Sequence, residues 1–345
     1  MDRWMSESTL RQLNRVMVPL SSSRALAAAT GWGIHGEAMC RRVLDQQLNA
    51  AAWAIGLKTS RARRRQQERT EAVSWRRERS VTPPPEHARA PVVNWHEGGE
   101  GPPVLLLNGW TASGLSWPTE WLRKLEERYR VIRIDNRGTG WSRSAPMPFT
   151  ISDLADDARD VLRACGVDRA TVLGTSMGGI IAQELALRHP ELVEKLLLVA
   201  TRPPTPAHVT TDYTAAFALF AGPRHGRDPQ RHIAGVWAQF AAQGFAEEHP
   251  EILEEAAGQV LERTTPRSTM LIQARAIASW RRPDRLRDLS VPTTVVHGSC
   301  DPLVDVQNAR VLAGLIPGAT LEELPDVGHL VVHEAGDAVL RMMRS

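Results

Sequence analysis

The strongest chemical signal in the sequence is Gly174-Thr175-Ser176-Met177-Gly178, with Gly179 behind it. It follows the apolar run Thr171–Leu173 and opens the helical pattern Met177–His189. A serine on so sharp a strand-to-helix turn is held in a strained backbone conformation, so its neighbours must lack bulk. Gly174 and Gly178 let strand and helix approach. The turn lifts the Ser176 hydroxyl out of the sheet and leaves the Met177 N–H at a helix N-terminus, facing a developing oxyanion. A serine hydroxyl is a weak nucleophile at neutral pH and needs a base, and the base needs an orienting acid.

Of the eleven histidines, His329 is the candidate base. It sits in Gly328-His329-Leu330, just past the last strand pattern and at the start of a final helix. His333 and His297 read as packed or surface side chains, and His189 as a helix end near its dipole. Asp301, in His297-Gly298-Ser299-Cys300-Asp301-Pro302, directly follows the strand pattern Thr294–Val296 and is the candidate acid. The 28 residues from Asp301 to His329 leave room for one helix and one strand. Asp305 competes with it, its other reading being the cap of a helix at Val306–Leu315. A second oxyanion donor is expected from the loop Asn108-Gly109-Trp110-Thr111, with the Trp110 backbone N–H as candidate and its indole walling the pocket.

These residues require a frame that brings strand ends together. Val104–Leu107, Val131–Ile134, Thr171–Leu173, Leu196–Val199 and Thr294–Val296 are short apolar runs, with a weaker one at Thr320–Leu324. Near-continuous apolar strands alternating with helical patterns such as Ser152–Cys165 predict an α/β fold with a mostly parallel, doubly wound sheet. The alternation stops between Pro203 and Pro283, where helical spacing in Tyr213–Phe220, Ile233–Phe245 and Met270–Trp280 predicts a helical cap over the sheet's C-terminal edge. Phe217, Leu219, Phe220, Trp237, Phe240, Phe245, Met270 and Trp280 in that window favour an apolar acyl or ring substrate. Leu44, Leu48, Ala51, Ala52 and Ile55 mark a helix over about 36–57, ahead of an arginine-rich stretch at 61–79 and the breaker Thr82-Pro83-Pro84-Pro85. The expected organisation is a helical, basic N-terminal extension over 1–82, a core from 83–202 and 283–345, and a cap at 203–282.

The chain has 345 residues with a net charge of +3, but residues 1–90 carry +8 and the remainder −5. The arm is therefore read as a helical face that packs on the body or a second copy, with peripheral membrane contact as the rival. Its basic stretch has Trp75 as its single interleaved aromatic, so no nucleic-acid partner is expected. No apolar run approaches the roughly 18 residues of a membrane span, and the first residues lack the apolar core of a secretory signal. Cys40, Cys165 and Cys300 are too few and scattered for a disulfide framework, which fits a cytoplasmic setting. No His-Glu-x-x-His, paired cysteines or Gly-x-Gly-x-x-Gly after the first strand is present, so neither metal nor cofactor is expected.

Over about residues 90–345 the chain resembles the serine-type α/β-hydrolase family. Asp135-Asn136-Arg137-Gly138-Thr139-Gly140-Trp141-Ser142 matches that family's Asp-x-Arg-Gly-x-Gly-x-Ser loop, a structural element beside the nucleophile. The elbow and the following Ile180-Ile181-Ala182-Gln183-Glu184-Leu185-Ala186 are similar to enol-lactonases and cofactor-free haloperoxidase-type esterases. The resemblance implies catalytic roles for Ser176, Asp301 and His329, oxyanion roles for Met177 and Trp110, and hydrolysis of an ester or lactone through an acyl-enzyme. Asn108 stands where the family usually has histidine, and the N-terminal 80-odd residues have no counterpart. Serine at the elbow excludes the aspartyl-ester chemistry of haloalkane dehalogenases and epoxide hydrolases. The rivals are an acyltransferase, perhydrolase or carbon–carbon bond hydrolase using the same residues, and a non-catalytic binding protein on this scaffold.

Overall fold

The computed structural model describes residues 91–204, 207–209, 228–282 and 285–344. The helix expected over 36–57, the arginine-rich stretch and the pattern at Tyr213–Phe220 lie outside them. Successive residues of the buried strands point to opposite faces, and each face has its own apolar layer. Leu105, Leu107, Val172, Leu196, Leu198 and Val295 enter one cluster, while Val104, Leu106, Leu173, Leu197 and Val296 enter the other. A strand covered on both faces is apolar at every position, which is why these runs are continuous.

In chain order the elements are β1 (Trp95–Gly98), β2 (Pro103–Leu107), α1 (Thr119–Glu126), β3 (Arg130–Ile134), α2 (Ile151–Ala164), β4 (Ala170–Thr175), α3 (Met177–Arg188) and β5 (Val193–Val199). Among the described residues, four α-helices follow: α4 (Pro229–Trp237), α5 (Phe245–Glu248), α6 (Pro250–Glu262) and α7 (Arg267–Ser279). The chain then returns to the sheet with β6 (Thr293–Gly298), α8 (Gln307–Leu315), β7 (Thr320–Leu324), α9 (Val331–Glu334) and α10 (Gly336–Arg344). The sheet has the order β1-β3-β2-β4-β5-β6-β7, with β1 antiparallel to β3 and the other pairs parallel. This is the mostly parallel α/β sheet anticipated from the strand pattern, in the α/β-hydrolase arrangement that the motif resemblance implied.

From β2 the chain winds outward to β3, then crosses back to place β4 on the other side of β2. The loops after β2 and β4 therefore diverge and leave a crevice at their C-terminal ends, where open α/β sheets bind ligands. The approach of α3 to β2 depends on glycine: a Cβ on Gly178 would collide with the Leu107 carbonyl oxygen, and one on Gly174 with that of Gly178. The Asp135 loop braces the neighbouring edge. Its carboxylate accepts from the Gly114 and Trp141 N–H groups at 2.8 Å each, and Arg137 forks onto Asp157 of α2 at 2.6 and 2.8 Å.

The helices between β5 and β6 differ from the expected pattern. Ile233–Phe245 is not one helix: α4 ends at Trp237, and Gly244, at φ 88°, starts α5 in the left-handed region that glycine accepts without strain. Pro250 then begins α6 at the first helical position, where its missing N–H is no loss. Among the described residues no helix is long and apolar enough to cross a membrane.

Candidate active site

β4 delivers Ser176 at its C-terminal end, and α3 begins with the next residue. Ser176 has φ 52° and ψ −116°, the left-handed conformation that a tight strand–helix turn imposes. Four bonds hold it there: its N–H donates to Val199 O at 2.9 Å, and its carbonyl accepts from Thr201 Oγ1 at 2.7 Å, Gly179 N at 3.0 Å and Ile180 N at 3.3 Å. Strain at a non-glycine residue persists only where its surroundings over-determine it, and such places cluster at active sites. Met177 follows as the first helical residue, so its N–H has no partner within the helix.

His329 and Asp301 meet. His329 Nδ1 lies 2.8 Å from Asp301 Oδ2. A carboxylate can only accept, so Nδ1 carries the proton and Nε2 is left as the free base. Asp301 Oδ1 accepts from the N–H groups of Leu303 and Val304, both at 2.8 Å. Burial by itself would raise the Asp301 pKa. The opposing field of His329, with hydrogen bonds from His297 and His329, outweighs it and holds the carboxyl well below its ordinary range. Asp305 serves elsewhere: its Oδ1 accepts from Gln307 N at 2.8 Å, at the start of α8.

His297, read from sequence as merely packed, is fully buried with Nε2 3.0 Å from Asp301 Oδ2 and 2.8 Å from Val304 O. Since Val304 O accepts only, Nε2 of His297 carries a proton and is a second donor toward the same carboxylate.

Glu334 was not anticipated. Its carboxylate accepts from Gly328 N at 2.8 Å and Leu330 N at 3.0 Å, on either side of His329, and from Ala242 N at 2.9 Å. The His329 N–H donates to Phe240 O at 2.7 Å. The loop carrying His329 is thus tied to the segment after α4. Burial pushes the Glu334 pKa up, and the three N–H donors pull it part of the way back. The signal in the sequence was an acidic residue five positions past the histidine.

The loop after β2 comes up against the nucleophile: a Cβ on Gly109 would stand 3.2 Å from Ser176 Cβ and 3.8 Å from its Oγ. Residues of the helical insertion hold this loop. Trp110 Nε1 donates to Met270 O at 2.8 Å, Thr111 N donates to Gln273 Oε1 at 3.0 Å, and Thr265 Oγ1 donates to Thr111 O at 2.8 Å. Thr111 itself has φ 70°. Asn108, the departure from the histidine expected there, closes the loop by donating its Nδ2 to Ser113 O.

Residues 102–336 match the family model described as the alpha/beta hydrolase fold. The chain belongs to the alpha/beta hydrolase family. A protein of Variovorax paradoxus named carbamate hydrolase RutD is 30% identical over 239 residues, which cover 68% of this chain and 87% of that one. The solved enol-lactonase of Burkholderia xenovorans LB400 aligns with a TM-score of 0.62 at 24% identity, covering 73% of this chain and 94% of the other. A structure described as an N-acyl homoserine lactone degrading enzyme aligns with a TM-score of 0.60 at 29% identity, covering 73% and 95%.

In this alpha/beta hydrolase, Ser176, Met177, Gly109, Trp110 and His329 all line one cavity of about 170 Å³. Its walls are mainly apolar, with Trp117, Trp237, Phe240, Ile277, Leu303 and Leu330 among them. Of the aromatic and Met residues singled out between β5 and β6, Trp237 and Phe240 reach the cavity. Trp280 instead packs in the core and donates its indole N–H to the buried Glu184 at 2.9 Å. Met270 supplies its carbonyl to Trp110, and Phe245 packs with Trp237 and Leu253. Phe217, Leu219 and Phe220 lie outside the described residues.

Proposed function

We propose that this alpha/beta hydrolase is a serine esterase or lactonase acting on small to medium apolar substrates. The observation that carries the reading is the pairing of the buried Asp301 with His329, which lines the same cavity as Ser176. Ser176 Oγ attacks the carbonyl carbon while His329 Nε2 takes its proton. Asp301 keeps the imidazole in the tautomer that can do so and offsets the charge that forms on it. The N–H groups of Met177 and Trp110 donate to the oxyanion. The leaving alcohol takes the proton back from His329, and water repeats the cycle on the acyl-enzyme. Helices α4–α7 act as a cap, and the setting is cytoplasmic.

The relative named carbamate hydrolase RutD favours a second reading, in which the same serine attacks a carbamate. The test is intact mass after exposure to a fluorophosphonate, on wild type and Ser176→Ala, with hydrolysis of short esters, lactones and carbamates in parallel. One adduct on wild type alone, with Ser176→Ala turnover lower by about 10⁶-fold, is the expected result. A well-folded wild type that takes no adduct would overturn it in favour of a binding protein.

A further inference from the structure

Two residues of the cavity wall each carry a buried ring nitrogen without a hydrogen-bond partner. Trp117, 2% exposed, lies between β2 and α1 with its indole stacked on Trp121 at 5.5 Å between ring centroids. Its Nε1 is buried without a hydrogen bond. The indole N–H groups of Trp95, Trp110, Trp121 and Trp280 all donate, so an idle one is out of keeping with its neighbours. His333, on α9, is the second case: its Nε2 is also buried and unbonded. Its ring stands edge-on to Trp237 at 5.4 Å, a contact that limits how the imidazole can turn. Both residues line the cavity that holds Ser176.

An unpaired buried donor costs about 1–3 kcal/mol, and such atoms are rare enough that each needs a reason. Neither atom takes part in the proposed reaction, and apolar rings of the same size would fill their places without that cost. Burial draws the His333 pKa down to about 4, so its ring is neutral near pH 7 and offers one donor and one acceptor. Trp117 offers a donor only.

We propose that Trp117 Nε1 and His333 Nε2 form a polar subsite for a second oxygen of the substrate, so that the preferred substrates are oxo- or hydroxy-substituted carboxylic esters. The ketone or hydroxyl oxygen accepts from the Trp117 N–H, and His333 pairs with the same group. The unsubstituted ester leaves both ring nitrogens dry and unbonded, and is disfavoured by what they lose. The subsite rests on the serine-hydrolase reading for its connection to turnover, but not for binding.

The test compares p-nitrophenyl 4-oxopentanoate and 5-oxohexanoate with the pentanoate and hexanoate. Wild type is expected to favour at least one oxo ester by about tenfold in kcat/KM, the effect of one well-made buried hydrogen bond. In Trp117→Phe and His333→Phe, which keep the rings, that ratio falls toward one whatever the absolute rate. The second readout is the ¹⁵N-indole spectrum of Ser176→Ala, in which the Trp117 resonance is identified by its loss in Trp117→Phe. It shifts on addition of the methyl oxo ester and not with the unsubstituted methyl ester. A shift without fluorophosphonate labelling or hydrolysis leaves the subsite standing and removes the hydrolase reading. No oxo preference in wild type, a preference that survives both variants, or an unmoved Trp117 resonance overturns the subsite.

Discussion

Replacing Asp301 by Asn exchanges an oxygen for an NH₂ group, and the surroundings of that carboxyl make the consequence calculable. Four donors converge on it: Leu303 N and Val304 N on Oδ1, and His329 Nδ1 and His297 Nε2 on Oδ2. An amide can keep its oxygen on the two backbone N–H groups, but its NH₂ then faces both imidazoles. His297 cannot yield by changing tautomer, because Val304 O needs its Nε2 proton. His329 can, and moving its proton to Nε2 removes the base that the proposed reaction at Ser176 needs. A wrong tautomer of this kind lowers turnover by about 10⁴-fold, or about 5.5 kcal/mol. Stability falls as well, by about 2–4 kcal/mol, since a charge-assisted acceptor is lost and buried donors are left opposed.

The pH dependence has a definite sign. The folded Asp301 pKa lies below the unfolded value near 3.8, so its stabilisation is present above that value and is lost as pH falls through the carboxylate range. Urea unfolding of wild type and Asp301→Asn should therefore differ most at neutral pH, and the gap should narrow below about pH 5. Asp305→Asn, which retains an oxygen for Gln307 N, is the control and should leave ester hydrolysis unaltered. An Asp301→Asn enzyme with more than a tenth of wild-type turnover, or an equal loss in Asp305→Asn, would refute the reasoning.

Two further outcomes follow from single contacts. Gln273→Met keeps side-chain volume but takes the acceptor from Thr111 N, next to the proposed oxyanion donor Trp110 N–H; kcat should drop about tenfold with KM nearly constant in steady-state assays. Trp280→Phe removes an indole donor from the fully buried Glu184, which also accepts from Ser152 Oγ at 2.6 Å; urea unfolding should show a loss of about 2 kcal/mol while fluorophosphonate labelling keeps its wild-type rate.

The parallel strands were legible because burial on both faces demands unbroken apolar runs, as in Val104–Leu107. β1 was not, because Trp95-His96-Glu97-Gly98 is a half-exposed edge that pairs on one side and needs no such run. The break after Trp237 and the restart at Pro250 were blurred by apolar residues that continue past the end of α4.

The sequence by itself determined the strand-to-helix turn at Ser176 and placed Asp301 and His329 just past strand ends, because a tight turn and a strand end are local demands on residue type. Tertiary structure decided which carboxylate reaches His329, that His297 also faces it, that Glu334 brackets the histidine loop, and that Gln273 holds the loop after β2. These partnerships join residues up to 162 positions apart, and a hydrogen bond depends on where two loops end in space rather than on their composition. The idle ring nitrogens of Trp117 and His333 belong to the same class. An indole or imidazole without a partner reads in sequence like any other, and becomes evident once the walls around it are in place.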